Sequence, residues 1–492
     1  MSDQKRNYLP SMAELLSSPK LKAMAGHLNP VSIFNTARSV LEEVATEAKN
    51  VASERRMPDI SELSERIAAR LKVTQFNLSL PLANATGILF PTQIAYSELP
   101  VKAINSMVAS FGGEFSEQQS DAPSAVTARE MICELSGASD AVVVNSHTAA
   151  LLLASGTLAR SDRSDVLTTP GDLYETVTGC RIDDIFLQAG CEPITVGSLT
   201  RVTFGDYTAG LNDDTAFIYC ANGMDGCLAV ERRLPELSQL VDFARMRNIP
   251  LVYDAEWIAY HATDDYGLNG VPTCRDLIKQ GVSLLVYSCG LLNGCNFATA
   301  TCCDNITNYP SELMQRCAPA VIAGDKLLIR EIRKSPLFPM FVPSRHDMAA
   351  LEAVLALSMT REVAENELSV WQLLSTDNDN LKLRADRMAL QIAAIPGVTD
   401  ANSVVAQAHL TPLRPRYFLP SQEVRVTFAS KTTVEMLAAL SMYRSEEGLT
   451  GIAARSVPDQ PNTISLNLRT VFAKYDMLII DALAALMTDM TE

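Results

Sequence analysis

No apolar run in this chain reaches the ~18–20 residues that a helix needs to cross a bilayer. The stretch Met1–Pro10 is polar and lacks the apolar segment of a secretory signal. Together these absences predict a cytoplasmic protein with no membrane part. Cys-x-x-Cys pairs are missing as well. The 11 cysteines are scattered over 492 residues, a spacing that predicts neither a zinc ribbon nor a small disulfide scaffold, so no metal site is expected. In a reducing compartment most of these thiols stay reduced. Basic residues are in deficit: 41 Lys+Arg stand against 57 Asp+Glu, for a net charge of −16. That balance argues against a broad nucleic-acid-binding surface. The deficit is uneven, because residues 1–73 carry eleven Lys/Arg against nine Asp/Glu and the remainder carries −18. A nucleic-acid contact therefore belongs at the N-terminus, although a charge of +2 is also what an ordinary solvated surface shows.

What is present is globular in kind. The chain is 47% hydrophobic and 20% charged, enough for a core and for two to four units. Residues 1–73 read as short helices: Ser11 is placed to cap one of them with Glu14 three residues on, and Leu63, Ile67 and Leu71 form one stripe of Ser61–Lys72. From about residue 100 short apolar segments alternate with helical ones. The strands read from the pattern are Ala141–Val144, Asp165–Thr168, Glu192–Val196, Thr215–Cys220, Ile249–Asp254, Ser283–Tyr287 and Phe297–Cys302. Near-continuous apolar strands separated by helices indicate an α/β fold with a mostly parallel sheet buried on both faces. Residues 347–395 read as long helices and 400–492 as a smaller α/β domain, which divides the chain into 1–73, 74–345 and 346–492.

Three features of the central part carry a cofactor signal. The first strand runs into Asn145, Ser146, His147 and Thr148 at the opening of a helix, where free N–H groups and the positive dipole end suit a phosphate. His147 is placed either to stack on a cofactor ring or to cap the turn. Asp254 ends another buried strand, where it either pairs with the pyridinium nitrogen of pyridoxal phosphate or caps the next helix. A third strand ends at Ser288 and continues through Cys289, Gly290, Leu291, Leu292, Asn293 and Gly294.

These segments resemble the bacterial L-seryl-tRNA(Sec) selenium transferase family. The similar motifs are Leu9-Pro10-Ser11-Met12, Asn84-Ala85-Thr86-Gly87, Glu134–Ala138 with Val142–Asn145, Cys180–Ile185 with Gln188-Ala189-Gly190, Ala349–Ala353 and Leu466–Val471, in order along about 9–485. The resemblance implies a type I pyridoxal-phosphate-transferase fold with a seven-stranded sheet, an N-terminal domain that binds selenocysteine tRNA, and dimers assembled into larger rings. It also implies conversion of seryl-tRNA to selenocysteinyl-tRNA with selenophosphate as donor. Relatives acting on small amino sugars lack the N-terminal region, so its presence favours the tRNA-acting branch.

The family pattern breaks at three places. Its lysine segment reads serine-glycine-aspartate-lysine-leucine-leucine-glycine-glycine, whereas Ser288–Gly294 holds no lysine, and between 103 and 325 the sole lysine is Lys279. Gly324-Asp325-Lys326-Leu327-Leu328 repeats the family's letters but heads a helical run, so Lys326 is a weak candidate for the Schiff base. A basic loop of the family is replaced by Glu117–Pro123, and small residues beside the family's aspartate are replaced by Glu256 and Trp257. The lysine anchors the cofactor and moves the substrate's α-proton, so its loss predicts a non-catalytic oligomeric scaffold or regulatory homologue, with pyridoxal phosphate doubtful. Its partners would be copies of itself, a tRNA or an active relative. The alternatives are an active pyridoxal-phosphate-type transferase acting on aminoacyl-tRNA or a small amino acid, with the cofactor held noncovalently or through Lys326, or with a cysteine of the 289–303 segment such as Cys289, or else a tRNA-binding module. Cys289, Cys295, Cys302 and Cys303 offer thiolates or soft-metal ligands, or simply small buried hydrophobes.

Overall fold

Short apolar runs assemble into one sheet here because each is hydrophobic toward both faces. The computed structural model describes residues 10–25, 33, 34, 36–38, 40, 41, 44, 58–75, 82–90, 98–112, 127–159, 162–176, 180–222, 232–256, 258–295, 318–411, 417–429, 431–444 and 451–488. They fall into two compact units, 1–82 with 443–451, and 83–442 with 452–492.

In the first unit, helices span Met12–Leu16, Pro19–Ala25 and Ile60–Gln75. The expected cap is present: the Glu14 amide donates to Ser11 Oγ at 3.3 Å, and the Ser11 amide donates to Glu14 Oε2 at 2.8 Å. Leu63 and Ile67 are buried with Leu15, Leu21, Ile33, Ala37, Val40 and Val44 in a core of their own. The side chain of Leu71 lies outside the described residues.

The second unit holds β1 (Asp140–Val144), β2 (Asp165–Thr168), β3 (Glu192–Thr195), β4 (Thr215–Ala221), β5 (Leu251–Glu256), β6 (Leu284–Ser288) and β7 (Ala320–Gly324), side by side in the order β1-β7-β6-β5-β4-β2-β3. Every pairing is parallel except the two made by β7. The sheet is thus α/β, seven-stranded and mostly parallel, as expected. Both faces are covered: on β6, Leu284 and Val286 enter one apolar cluster while Leu285 and Tyr287 enter the other, the period-2 geometry of a strand. The expected seventh strand, Phe297–Cys302, lies outside the described residues. β7 instead comes from Ala320–Gly324, a stretch absent from the strands read from the pattern. A five-residue apolar run does not announce that it will return antiparallel between the first and sixth strands; long-range pairing decides that.

After the sheet, helices Arg345–Ser358, Arg361–Glu367, Ser369–Ser375 and Asn378–Ala393 follow one another, shorter than the long helices expected. Strands β8 (Val398–His409), β9 (Phe418–Phe428), β10 (Arg455–Ser456) and β11 (Thr463–Asn467) then form an antiparallel sheet in the order β10-β11-β9-β8. Arg384 of helix Asn378–Ala393 clasps Asp476 of the last helix with two hydrogen bonds of 2.7 and 3.0 Å. The Asn84–Gly87 turn folds on itself, with Asn84 Oδ1 accepting from the Thr86 amide and hydroxyl. It docks on Leu466–Val471: the Gly87 amide donates to Thr470 Oγ1 at 3.2 Å and the Asn467 amide to Ala85 O at 2.9 Å.

Candidate functional site

β1 stops because Asn145 and Ser146 turn the chain, and the Asn145 amide donates to Phe341 O. Ser146, extended at φ −162°, caps helix His147–Leu158 by accepting from the Ala149 amide at 3.2 Å, a standard N-cap. His147 is therefore the first helical residue, and it sits at the carboxyl edge of the sheet. Asp254 and Ser288 share that edge, near the ends of β5 and β6. In open α/β sheets this is the edge where ligands bind.

His147 and Asp254 meet directly. The imidazole Nε2 lies 2.7 Å from Asp254 Oδ1. The same oxygen accepts from the Glu256 amide at 2.8 Å. Glu256 reaches it because the pairing of β5 with β6 shifts register after Asp254 and Glu256 itself adopts φ +50°. Such a conformation costs about 1–3 kcal/mol for a non-glycine residue. Asp254 Oδ2 accepts from the hydroxyls of Tyr174 at 2.8 Å and Tyr219 at 2.7 Å. Asp254 and Tyr219 are 0% exposed, Tyr174 5% and His147 8%. β5 continues through Asp254 to Glu256, so Asp254 does not cap a helix.

The electrostatics follow from that geometry. Burial pushes the Asp254 carboxyl up, but the charge and hydrogen bond of His147, with those of Tyr219 and the Glu256 amide, outweigh it and hold the group below its ordinary value. Burial opposes the charge on His147, yet Asp254, helped by Glu256, keeps the imidazole above its ordinary value. Burial, then the neighbouring carboxylates, drive Tyr174 and Tyr219 well above theirs, so both remain donors. The result is a buried histidine–carboxylate pair closed by two phenols. Sequence reasoning missed both tyrosines. Tyr219 lies in the apolar run of β4 and reads as core; only its contact with Asp254 distinguishes it. A second buried pair, Asp172 with Arg232 at 3.0 Å, was also missed.

Ser288 ends β6 and accepts from the Gly290 amide at 3.1 Å. The segment beyond it is tied down, with the Cys295 amide on Cys289 O at 3.0 Å and Trp371 Nε1 on Leu292 O at 2.8 Å. Cys289 is 1% exposed, and burial pushes its thiol up to about 12. It is a thiol near neutral pH and not the thiolate that nucleophilic attack requires. Cys302, Cys303, Trp257 and the Glu117–Pro123 loop lie outside the described residues. Thr148 is half-buried in the first helical turn, and Asn145 is buried. Among the described residues no group of three metal-ligating side chains is present.

The structure places Lys326 apart from Asp254. It is exposed at the start of helix Lys326–Lys334, just after β7. Because β7 runs antiparallel, Gly324 pairs with Leu284 and Asp140, the first residues of β6 and β1. Lys326 thus lies at the amino edge of the sheet, and Asp254 near the carboxyl edge, a strand length away. Lys279 is exposed on the helix that precedes β6.

Pyridoxal phosphate needs a lysine on its aldehyde, a phosphate cradle and a carboxylate with an acceptor available to the pyridinium nitrogen. The strand-to-helix turn at Asn145–Thr148 suits the phosphate. The lysine is absent from Ser288–Gly294, and an ionised carboxylate offers about four lone-pair sites, all four of which this chain fills at Asp254 with its own donors. At these two points, the missing lysine and the occupied carboxylate, the site departs from that arrangement.

The model of the family "SelA: L-seryl-tRNA selenium transferase" matches residues 82–455. The chain is similar to the L-seryl-tRNA(Sec) selenium transferases of Pasteurella multocida (25% identity over 449 residues, 89% of this chain and 91% of that one) and Mannheimia succiniciproducens (25% over 490 residues, 96% and 97%). It is also similar to that of Alkaliphilus oremlandii (23% over 491 residues, 96% and 97%). Among solved structures, D-glucosaminate-6-phosphate ammonia-lyase shares the fold, with a TM-score of 0.56 and 16% identity over 86% of this chain and 99% of that one. With its type I pyridoxal-phosphate-transferase fold, this chain belongs to the L-seryl-tRNA selenium transferase family.

Proposed function

We propose that this chain is a non-catalytic member of its family that works as an oligomeric scaffold or regulatory homologue in the cytoplasm, with a tRNA or an active relative as partner. The observation that carries the reading is the lysine-free segment Ser288–Gly294 at the carboxyl edge, together with the placement of Lys326 at the opposite edge. Without a lysine at the end of β6, no described residue at that edge anchors the cofactor covalently or moves the α-proton. The test is borohydride treatment of the protein mixed with pyridoxal phosphate, followed by intact mass. No site-specific adduct is expected. A stoichiometric adduct on one lysine restores the alternative, an active pyridoxal-phosphate transferase.

Two features support the partners. The N-terminal unit has its own apolar core, and the relatives' names place tRNA among their substrates. Helix Val101–Phe111 shows Val101, Ile104, Val108 and Phe111 on one stripe, exposed by 71, 45, 64 and 67%. Such a stripe marks an interaction surface, here assigned to a second copy. Light scattering after gel filtration is expected to show an oligomer that Val108→Asp shifts to a smaller species. A monomeric wild type overturns the scaffold reading. A gel shift with tRNA that weakens as salt rises is the outcome expected of an N-terminal tRNA contact.

A further inference from the structure

Resting on the non-catalytic reading, we propose that His147 is a built-in substitute for the pyridinium ring. Its imidazole, with the Tyr174 and Tyr219 hydroxyls, occupies the carboxylate that would otherwise receive the cofactor's ring nitrogen, so the place of an aromatic ring nitrogen is filled by the chain itself.

The argument starts from Asp254. A carboxylate that serves a pyridinium must leave one oxygen position open toward the cofactor. Here the four donors come from four places in the chain: the first residue of helix His147–Leu158, Tyr174 after β2, Tyr219 on β4, and the amide two residues further along β5. None is a swinging surface group. Tyr219 is wedged edge-on against Phe186, ring centroids 4.9 Å apart, and both tyrosines belong to the apolar cluster on one face of the sheet. Withdrawing either phenol would strand a buried hydroxyl among apolar side chains.

The chemistry points the same way. The imidazole Nε2 at 2.7 Å from Asp254 Oδ1 is a planar aromatic nitrogen of the same chemical class as the ring nitrogen of the cofactor. A second aromatic N–H would meet a carboxylate whose acceptor positions are already taken. The site is therefore complete without a ligand. Removing the His147 ring should leave a hole that small aromatic bases fit, as engineered cavities accept ligands matching the deleted group.

The experiment uses the full chain. Imidazole, and separately pyridine, is added to His147→Ala while thermal unfolding is followed. Imidazole is expected to raise the Tm of His147→Ala, to leave wild type unmoved, and to lose its effect when Asp254→Asn is added. No rescue of a folded His147→Ala overturns the proposal. Should His147→Ala not fold, wild type decides alone. Titration with pyridoxal phosphate, read by cofactor fluorescence without borohydride, is expected to show no saturable binding that depends on Asp254. Saturable binding weakened about tenfold or more by Asp254→Asn (about 1.4 kcal/mol) overturns the proposal. A borohydride-fixed adduct indifferent to Asp254→Asn overturns the non-catalytic reading instead and leaves the filled carboxylate standing.

Discussion

Replacing His147 with leucine is expected to lower the unfolding free energy by about 3–5 kcal/mol near pH 6, the usual cost of leaving one member of a buried ion pair without its partner. Asp254 is 0% exposed and would keep only the two phenols and the Glu256 amide. The pH dependence identifies the cause. Asp254 is depressed in the folded protein, so its contribution is present above its unfolded value near 3.9 and is lost as pH falls through the folded one. His147 is raised, so its contribution is present below its unfolded value near 6.5 and is lost as pH rises through the folded one. The gap between wild type and His147→Leu is therefore widest between about pH 4 and 6.5 and narrows on both sides. Urea unfolding at pH 5, 7 and 9 reads this directly. Adding Asp254→Asn to His147→Leu should return part of the loss, because the stranded charge disappears. A flat profile, or a loss below about 1 kcal/mol, would show that the two groups do not depend on each other.

Gly324→Ala is expected to cost about 3–5 kcal/mol, the sum of backbone strain and overpacking. Gly324 ends β7 at φ +150°, and a Cβ there would stand 2.2 Å from Ser283 O and 3.1 Å from Leu284 Cα. Neither neighbour is a flexible side chain. Ser283 O already accepts from the Asp325 amide, and Gly324 pairs on both sides, with Leu284 and with Asp140. Moving it loosens β7 from β6 and β1 together. Gly190 is the control. It also has positive φ, at +78°, but a Cβ there meets nothing within 4 Å, so Gly190→Ala should cost only about 1–2 kcal/mol. Equal losses at the two positions in urea unfolding would show that backbone conformation, and not the crowding at Ser283, sets the cost.

The amino-acid sequence by itself determined the class of fold and the family. Runs such as Thr215–Ala221, whose residues are all buried, are apolar on both faces, and that pattern is local: it fits a sheet covered on both sides and nothing half-exposed. The capping of Ser11 by Glu14 was legible for the same reason, since the interacting groups are three residues apart. The missing lysine in Ser288–Gly294 is a matter of letters alone. Asp254 and His147 were recognisable as candidates because each ends or follows a strand, yet their mutual contact was not, because 107 residues separate them.

The tertiary structure decided what long-range pairing decides. Asn84–Gly87 and Leu466–Val471 carried the family resemblance as separate motifs, and only the fold shows that one turn is built against the other, with 383 residues between Gly87 and Thr470. Lys326 matched the family's letters, and its helix was read correctly, but its distance from Asp254 depends on the antiparallel course of β7, which no local pattern encodes. Tyr219 reads as core because a phenol in an apolar strand is ordinarily there for its ring, and Tyr174, after β2, carries no local signal at all. Their hydroxyls acquire meaning from the one buried carboxylate they share. A side chain's apolar character is written in its own residue, whereas the partner of its polar atom is set by where the rest of the chain comes to lie.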